Sequence, residues 1–161
     1  MPVRWVPPAL GPRGEGWVAL QMVVLVVALV TGIVGAPWPD PVRPWVGAAG
    51  VAFALAGAVL SLAAIRHLGA SITPYPMPGE GAEMREHGAY RLARHPIYGG
   101  VLLVTAGWSL LSSPLALVAL VTLGFVFRGK SAREELWLAE RYPGYQAYRA
   151  RVPRRLIPLV W

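Results

Sequence analysis

The sequence contains no cysteine, which removes disulfides, zinc–thiolate centres and thiol nucleophiles from consideration. Charge is scarce too: only 14% of residues are Asp, Glu, Lys or Arg, against about 25% in ordinary soluble domains. There is no Gly-x-Ser-x-Gly elbow, no Gly-x-Gly-x-x-Gly after a strand and no Walker loop. A serine-hydrolase elbow and the soluble nucleotide folds are therefore not expected. The three histidines, His67, His87 and His95, lack a carboxylate-rich metal spacing, so no metal is expected. No internal repeat is visible, and no small-residue cleavage site clearly follows the first apolar run, which reads as a span and not as a leader.

What is abundant is apolar sequence, at 55% of 161 residues, enough chain for about one domain. The runs are long and almost uncharged, the mark of an integral membrane protein. The net charge of +7 flanks these runs with no interleaved aromatic platform, which argues against a nucleic-acid partner. Four spans are predicted, at about 17–34, 45–65, 96–111 and 114–130, within a single domain covering 1–161. Residues 1–16, rich in Pro and Gly, read as an irregular lead-in. Gly47, Gly50, Ala54, Gly57 and Ala58 in the second run predict close helix–helix packing. Ser112-Ser113-Pro114 divides the last long apolar stretch into two short antiparallel helices. The second should continue past the apolar zone into a polar extension to about residue 140, followed by a short helix at about 144–151 and a basic tail. The fold class expected is thus all-α: a helical membrane bundle with a C-terminal cytoplasmic helical extension, 131–161.

Lys and Arg set the orientation. Arg66, Arg85, Arg91 and Arg94 lie between runs two and three, and eight more basic residues follow position 127. The loop between runs one and two has only Arg43, and the 112–114 turn has none. By the positive-inside rule both termini and the long loop 66–95 are cytoplasmic. That loop contains Pro74, Pro76 and Pro78 at alternate positions, which predicts an extended segment. It ends at His95-Pro96, immediately before an apolar helix. Proline suits the first helical position, so Arg94, His95 and Tyr98 should surround a helix N-terminus, where an anion is favoured.

The topology brings this loop to the same membrane face as Glu134-Glu135. Adjacent helical residues point about 100° apart, so the two carboxylates should not form an acid–base dyad, and at most one should face the bundle. On the residues alone, Lys130–Glu134 also reads as an ordinary i,i+4 ion pair on a solvated face, and Tyr90 and Tyr98 as interfacial aromatics.

Gly88-x-Tyr90-x-x-x-Arg94-His95-Pro96-x-Tyr98-x-Gly100, followed by Glu134-Glu135, resembles the isoprenylcysteine carboxyl methyltransferase family. The related phospholipid N-methyltransferases share the outline. Leu68-Gly69 and the tail Tyr145-x-x-Tyr148-x-x-Arg151-Val152-Pro153 extend the similarity over about 66–158. These are membrane methyltransferases that use S-adenosyl-L-methionine without a Rossmann-type fold. The resemblance implies cofactor contacts at Ala82, Glu83, Met84 and Arg85, at Tyr90, at His95, Pro96, Ile97 and Tyr98, and at Glu134. Arg94 with the helix N-terminus suits the cofactor carboxylate, and Tyr90, Tyr98 or Trp137 suits its sulfonium. Lys130, where the family usually has arginine, and Arg151 become substrate-side candidates. The partners implied are the lipid bilayer and a lipophilic methyl acceptor: an isoprenylcysteine-like carboxylate, a lipid amine or another small lipophile. A sterol-reductase-like oxidoreductase using a nicotinamide, and a non-enzymatic lipid-binding protein, are the alternatives.

Overall fold

A computed structural model describes residues 6–158; residues 1–5 of the expected lead-in and 159–161 of the expected tail lie outside the described residues. The chain forms α1 (Glu15–Val34), α2 (Arg43–Leu68), α3 (Pro96–Leu111), α4 (Ala116–Arg141) and α5 (Tyr145–Arg151), with 3₁₀ turns at Gly69–Ser71 and Gly88–Arg91. No strand occurs among the described residues. The local chemistry accounts for the boundaries. Pro96 occupies the first turn of α3 and Pro44 that of α2, where a missing N–H removes no helical bond. Beyond α4 the chain meets Pro143-Gly144 and turns. Both first helices run slightly longer than the apolar runs, because Glu15 and Arg43 are tolerated in first turns at the polar edge.

Glu15–Val34 and Arg43–Ser71 are long and apolar enough to cross a membrane. Only 22% and 17% of their apolar windows are buried inside the molecule. Val26, Leu29, Leu55 and Val59 face outward. Helices that are apolar and yet turned away from the protein are solvated by lipid, not by a core. Pro96–Leu111 is apolar but shorter.

α2 and α3 pack antiparallel through glycine. A Cβ placed on Gly57 would stand 2.5 Å from the Gly100 carbonyl, and one on Gly107 would stand 2.6 Å from the Ala54 nitrogen. The backbones touch because no side chains separate them. Gly50 and Ala54 belong to this seam; Gly47, expected to share it, faces open space. α1 packs on α4 instead, with Trp17 laid over Gly129 and Val24, Ala28, Leu123 and Phe127 forming the core. At the end away from the polar loop, Trp108 donates to the Ala28 carbonyl (3.0 Å) and Trp38 to that of Ser109 (3.1 Å).

The C-terminal segment is not a free basic tail. Residues 152–157 return to the start of α3, where the Arg94 and His95 N–H groups donate to the carbonyls of Arg154 and Arg155 at 3.1 and 2.7 Å. Leu156 is fully buried in the core. Gly99 allows this approach, because a side chain there would run into the Leu156 backbone.

Candidate active site

The segment 69–95 passes from the end of α2 to the start of α3 on the side where α4 becomes polar. Between them lies a cavity of about 500 Å³. Its floor is apolar: Ile65 and Leu68 from α2, Val101 from α3 and Phe127 from α4. Its roof is the proline segment, which bends at residues 74–77 instead of running extended as expected, with the Tyr75 N–H donating to the Thr73 hydroxyl (3.2 Å). Met77 N–H donates to the Arg13 carbonyl (3.3 Å), the Arg13 guanidinium lies 3.9 Å from the centre of the Tyr75 ring, and Arg141 donates to the Pro78 carbonyl (3.1 Å). All six tyrosines of the chain border this cavity.

His95 stands where the loop becomes α3. Its ring is nearly parallel to Tyr98, which stacks in turn on Phe127 at 4.8 Å. Nδ1 lies 3.5 Å from Glu134 Oε2 and Nε2 lies 3.4 Å from Glu135 Oε1. At these separations the contacts are charge pairs more than well-formed hydrogen bonds, and Nε2 is left buried without a hydrogen-bond partner. Burial opposes protonation of the imidazole, but the two carboxylates outweigh it and hold its pKa above the ordinary histidine value.

The two glutamates correct the expectation that at most one faces the bundle. Glu134 lines the cavity and accepts a hydrogen bond from the Tyr98 hydroxyl at 2.7 Å. Glu135 points behind the cavity wall. Arg94 Nε donates to it at 2.8 Å, and Arg155 reaches it through Nε at 3.2 Å and Nη2 at 3.1 Å. Their angular offset sets them on opposite sides of one imidazole instead of turning one to solvent. Burial alone would raise the pKa of Glu135, yet His95, Arg155 and Arg94 together lower it to about 2.

Other expected site residues fall as follows. Ala82, Glu83, Met84 and Arg85 border the cavity, with the Ala82 carbonyl held by the Tyr142 hydroxyl at 2.6 Å. Tyr90 and Ile97 line it as well, and Tyr90 is fixed through its carbonyl by the Tyr148 hydroxyl at 2.8 Å. Gly88 starts the turn that carries Tyr90; its φ is +60°, and the His67 ring fills the space of a side chain. Pro96 is buried behind the wall. Arg94 borders the cavity, but its Nη1 donates to the carbonyls of Val152 and Pro153, each at 2.7 Å, and its Nε to Glu135. It is therefore a clamp and not the open anion receptor expected. Arg151 lies outside, exposed and paired with Glu86. Trp137 does not border the cavity; Arg133 lies over its ring at 4.5 Å. Lys130 is 2% exposed and makes no pair with Glu134: its Nζ donates to Gln21 Oε1 (2.7 Å) and to the Pro74 carbonyl (3.1 Å).

Gln21, Tyr142 and Arg155 also serve this site and were not among the expected site residues; Tyr145, part of the tail motif, had no role assigned. Gln21 carried a usable signal, as a lone amide in an apolar span normally has a polar partner or a functional cavity. Tyr142 and Arg155 carried none, since their partners are distant in the chain.

A phospholipid methyltransferase family model matches residues 45–144, from α2 through α4 to the turn before α5. The chain belongs to the phospholipid methyltransferase family. That family groups with the isoprenylcysteine carboxyl methyltransferases among membrane methyltransferases. No curated protein matches the chain significantly. Membership in the phospholipid methyltransferase family makes this a membrane methyltransferase, and the oxidoreductase and lipid-binding alternatives gain no support from it. Gln21 in α1 and Tyr145, Tyr148 and Arg155 after the turn fall outside the matched segment, so the cavity is completed by elements beyond it.

Proposed function

We propose that the protein is a four-span enzyme that transfers a methyl group from S-adenosyl-L-methionine to a lipophilic acceptor. The observation that carries this reading is the meeting of His95, Tyr98 and Glu134 on one cavity, although Tyr98 and Glu134 are 36 residues apart. The volume, about 500 Å³, suits a ligand of this size. Glu134, which pairs with the Tyr98 hydroxyl and the His95 imidazole and, among the described residues, has no Arg or Lys within ion-pair distance, binds the ammonium of the methyl donor. The tyrosine rings face its sulfonium. The Ala82–Arg85 segment and Tyr90 take the nucleoside, and His95, whose pKa is raised, attracts the carboxylate.

The acceptor nucleophile attacks the methyl carbon in line with the C–S bond; that bond breaks and sulfur leaves as a neutral thioether. The protein aligns the two reactants and excludes water. The Pro74–Pro78 roof excludes water on the loop side, and the apolar floor accepts the lipophile. Arg94 and Arg155 are committed to Glu135, Arg151 to Glu86, and Lys130 to Gln21 and Pro74. The cavity opens toward the cytoplasm, with both termini on that side, because the basic residues cluster at that end.

Calorimetry on the protein in nanodiscs tests this directly. S-adenosylhomocysteine should bind, NADPH should not, and labelled methyl should pass to a component of a membrane-lipid extract. Folded protein that binds no S-adenosylhomocysteine would overturn the reading.

A further inference from the structure

The hydroxyls around the cavity are not equivalent. Those of Tyr98, Tyr142 and Tyr148 donate to Glu134, to the Ala82 carbonyl and to the Tyr90 carbonyl. The hydroxyl of Tyr145 is different. Its side chain is 2% exposed, it borders the same cavity, and its oxygen is buried with no hydrogen-bond partner. Buried hydroxyls in folded proteins nearly always have partners, and one left without is an unmet demand.

The position of Tyr145 limits what can meet that demand. It is the first residue of α5, beyond the segment that matches the family. Its ring packs with Tyr148 at 5.9 Å and belongs to a small core with Val152. Arg94, His95 and Glu134 border the same cavity, so Tyr145 shares it with the charged groups of the site. Burial, ahead of the two carboxylates, pushes its phenol up, so the proton stays on the oxygen at all working pH values. Such a group donates to a carboxylate oxygen and accepts from an ammonium.

We propose that the Tyr145 hydroxyl is a ligand-contacting group that hydrogen-bonds the amino-acid end of the methyl donor beside Glu134. This rests on the function proposed above and adds to it a contact supplied by α5. The ring of Tyr145 packs α5 in place, while its hydroxyl has no partner among the described residues. The two parts of the side chain are thus separable by experiment.

Tyr145→Phe removes the hydroxyl and keeps the ring. Calorimetry compares S-adenosylhomocysteine with 5′-methylthioadenosine, which has the nucleoside and thioether but no amino-acid end. The variant should bind S-adenosylhomocysteine about tenfold more weakly and 5′-methylthioadenosine unchanged. Its ligand-free Tm should be equal to or above that of the parent, since no bond is lost in the free protein. Tyr148→Phe, which deletes a hydrogen bond inside the protein, should lower the ligand-free Tm. Equal weakening toward both ligands would place the hydroxyl at the nucleoside and overturn the assignment. Unchanged affinity for both, or a fall in ligand-free Tm for Tyr145→Phe, would overturn it as well. A parent protein that binds neither ligand would defeat the proposed function itself, a result distinguishable from all of these.

Discussion

Glu134 and Glu135 are adjacent in the chain and belong to two different regions of the molecule. Glu135 faces the closed seam between α4, the loop end and the returning C-terminal segment. There Arg94 and Arg155 contact it and Arg149 approaches to 3.9 Å. Glu134 faces the cavity, with one hydroxyl and the rim of an imidazole for company. The first is a saturated carboxylate whose charge holds three segments together. The second pairs with His95 but with no guanidinium among the described residues, and turns its carboxylate to the cavity. His95 lies between them, so the seam that orients the imidazole is also the back wall of the cavity. In such sites the chemistry tends to fall to the group with the fewest internal partners, and stability to the group with the most.

The largest effect that would test this division is on stability. Glu135→Ala leaves the buried Arg94 and the partly buried Arg155 guanidinium groups without their carboxylate and should cost about 3–5 kcal/mol. Thermal unfolding in nanodiscs reads it as a large fall in Tm. If Tm holds and only ligand binding fails, the two glutamates have exchanged roles.

Glu134→Gln should do the opposite, weakening S-adenosylhomocysteine by about 10- to 100-fold, the loss of roughly 1.5–3 kcal/mol for a charged hydrogen bond. Tm should change little, because the amide still accepts from Tyr98. Calorimetry and a melt on the same sample separate the two effects.

Acid should loosen the seam. The pKa of the Glu135 carboxyl is lowered to about 2 from the ordinary glutamate value of 4.5. Its stabilisation is therefore complete above about 4.5 and is lost as pH falls through about 2. His95 behaves in the reverse sense: its pKa is raised, so its contribution is complete below the ordinary value of 6.5 and is lost as pH rises through the elevated one. Melts across pH should show an acid limb below about 4.5 that Glu135→Gln removes. A parent protein with no such limb would mean that the carboxylate carries little of the seam.

The smallest effect belongs to Arg151, whose side chain is 60% exposed in its pair with Glu86. Arg151→Ala should change stability by less than about 1 kcal/mol and leave ligand binding within twofold. A large loss of methyl transfer would return Arg151 to the substrate side.

Much of this arrangement is readable along the chain. The long apolar runs give α1 and α2, Pro96 gives the first residue of α3, and Pro143-Gly144 stops α4. The glycines of the second run mark the face that receives α3, though not that Gly47 would fall outside it. Tyr90, His95, Tyr98 and Glu134 stand out by clustering and spacing, and all four border one cavity. These features are local: helix propensity, breakers and hydropathy act over a few residues, and any one segment carries them.

The counter-ions were not readable in this way. Lys130 meets Gln21 across 109 positions, and Arg94 meets the carbonyl of Val152 across 58. Sequence alone settles that this chain enters a bilayer as helices and gathers its polar chemistry at one end. Only the folded bundle decides which of two neighbouring carboxylates is bound by guanidinium groups and which faces the cavity, because partner choice depends on which distant segments share a desolvated space with it.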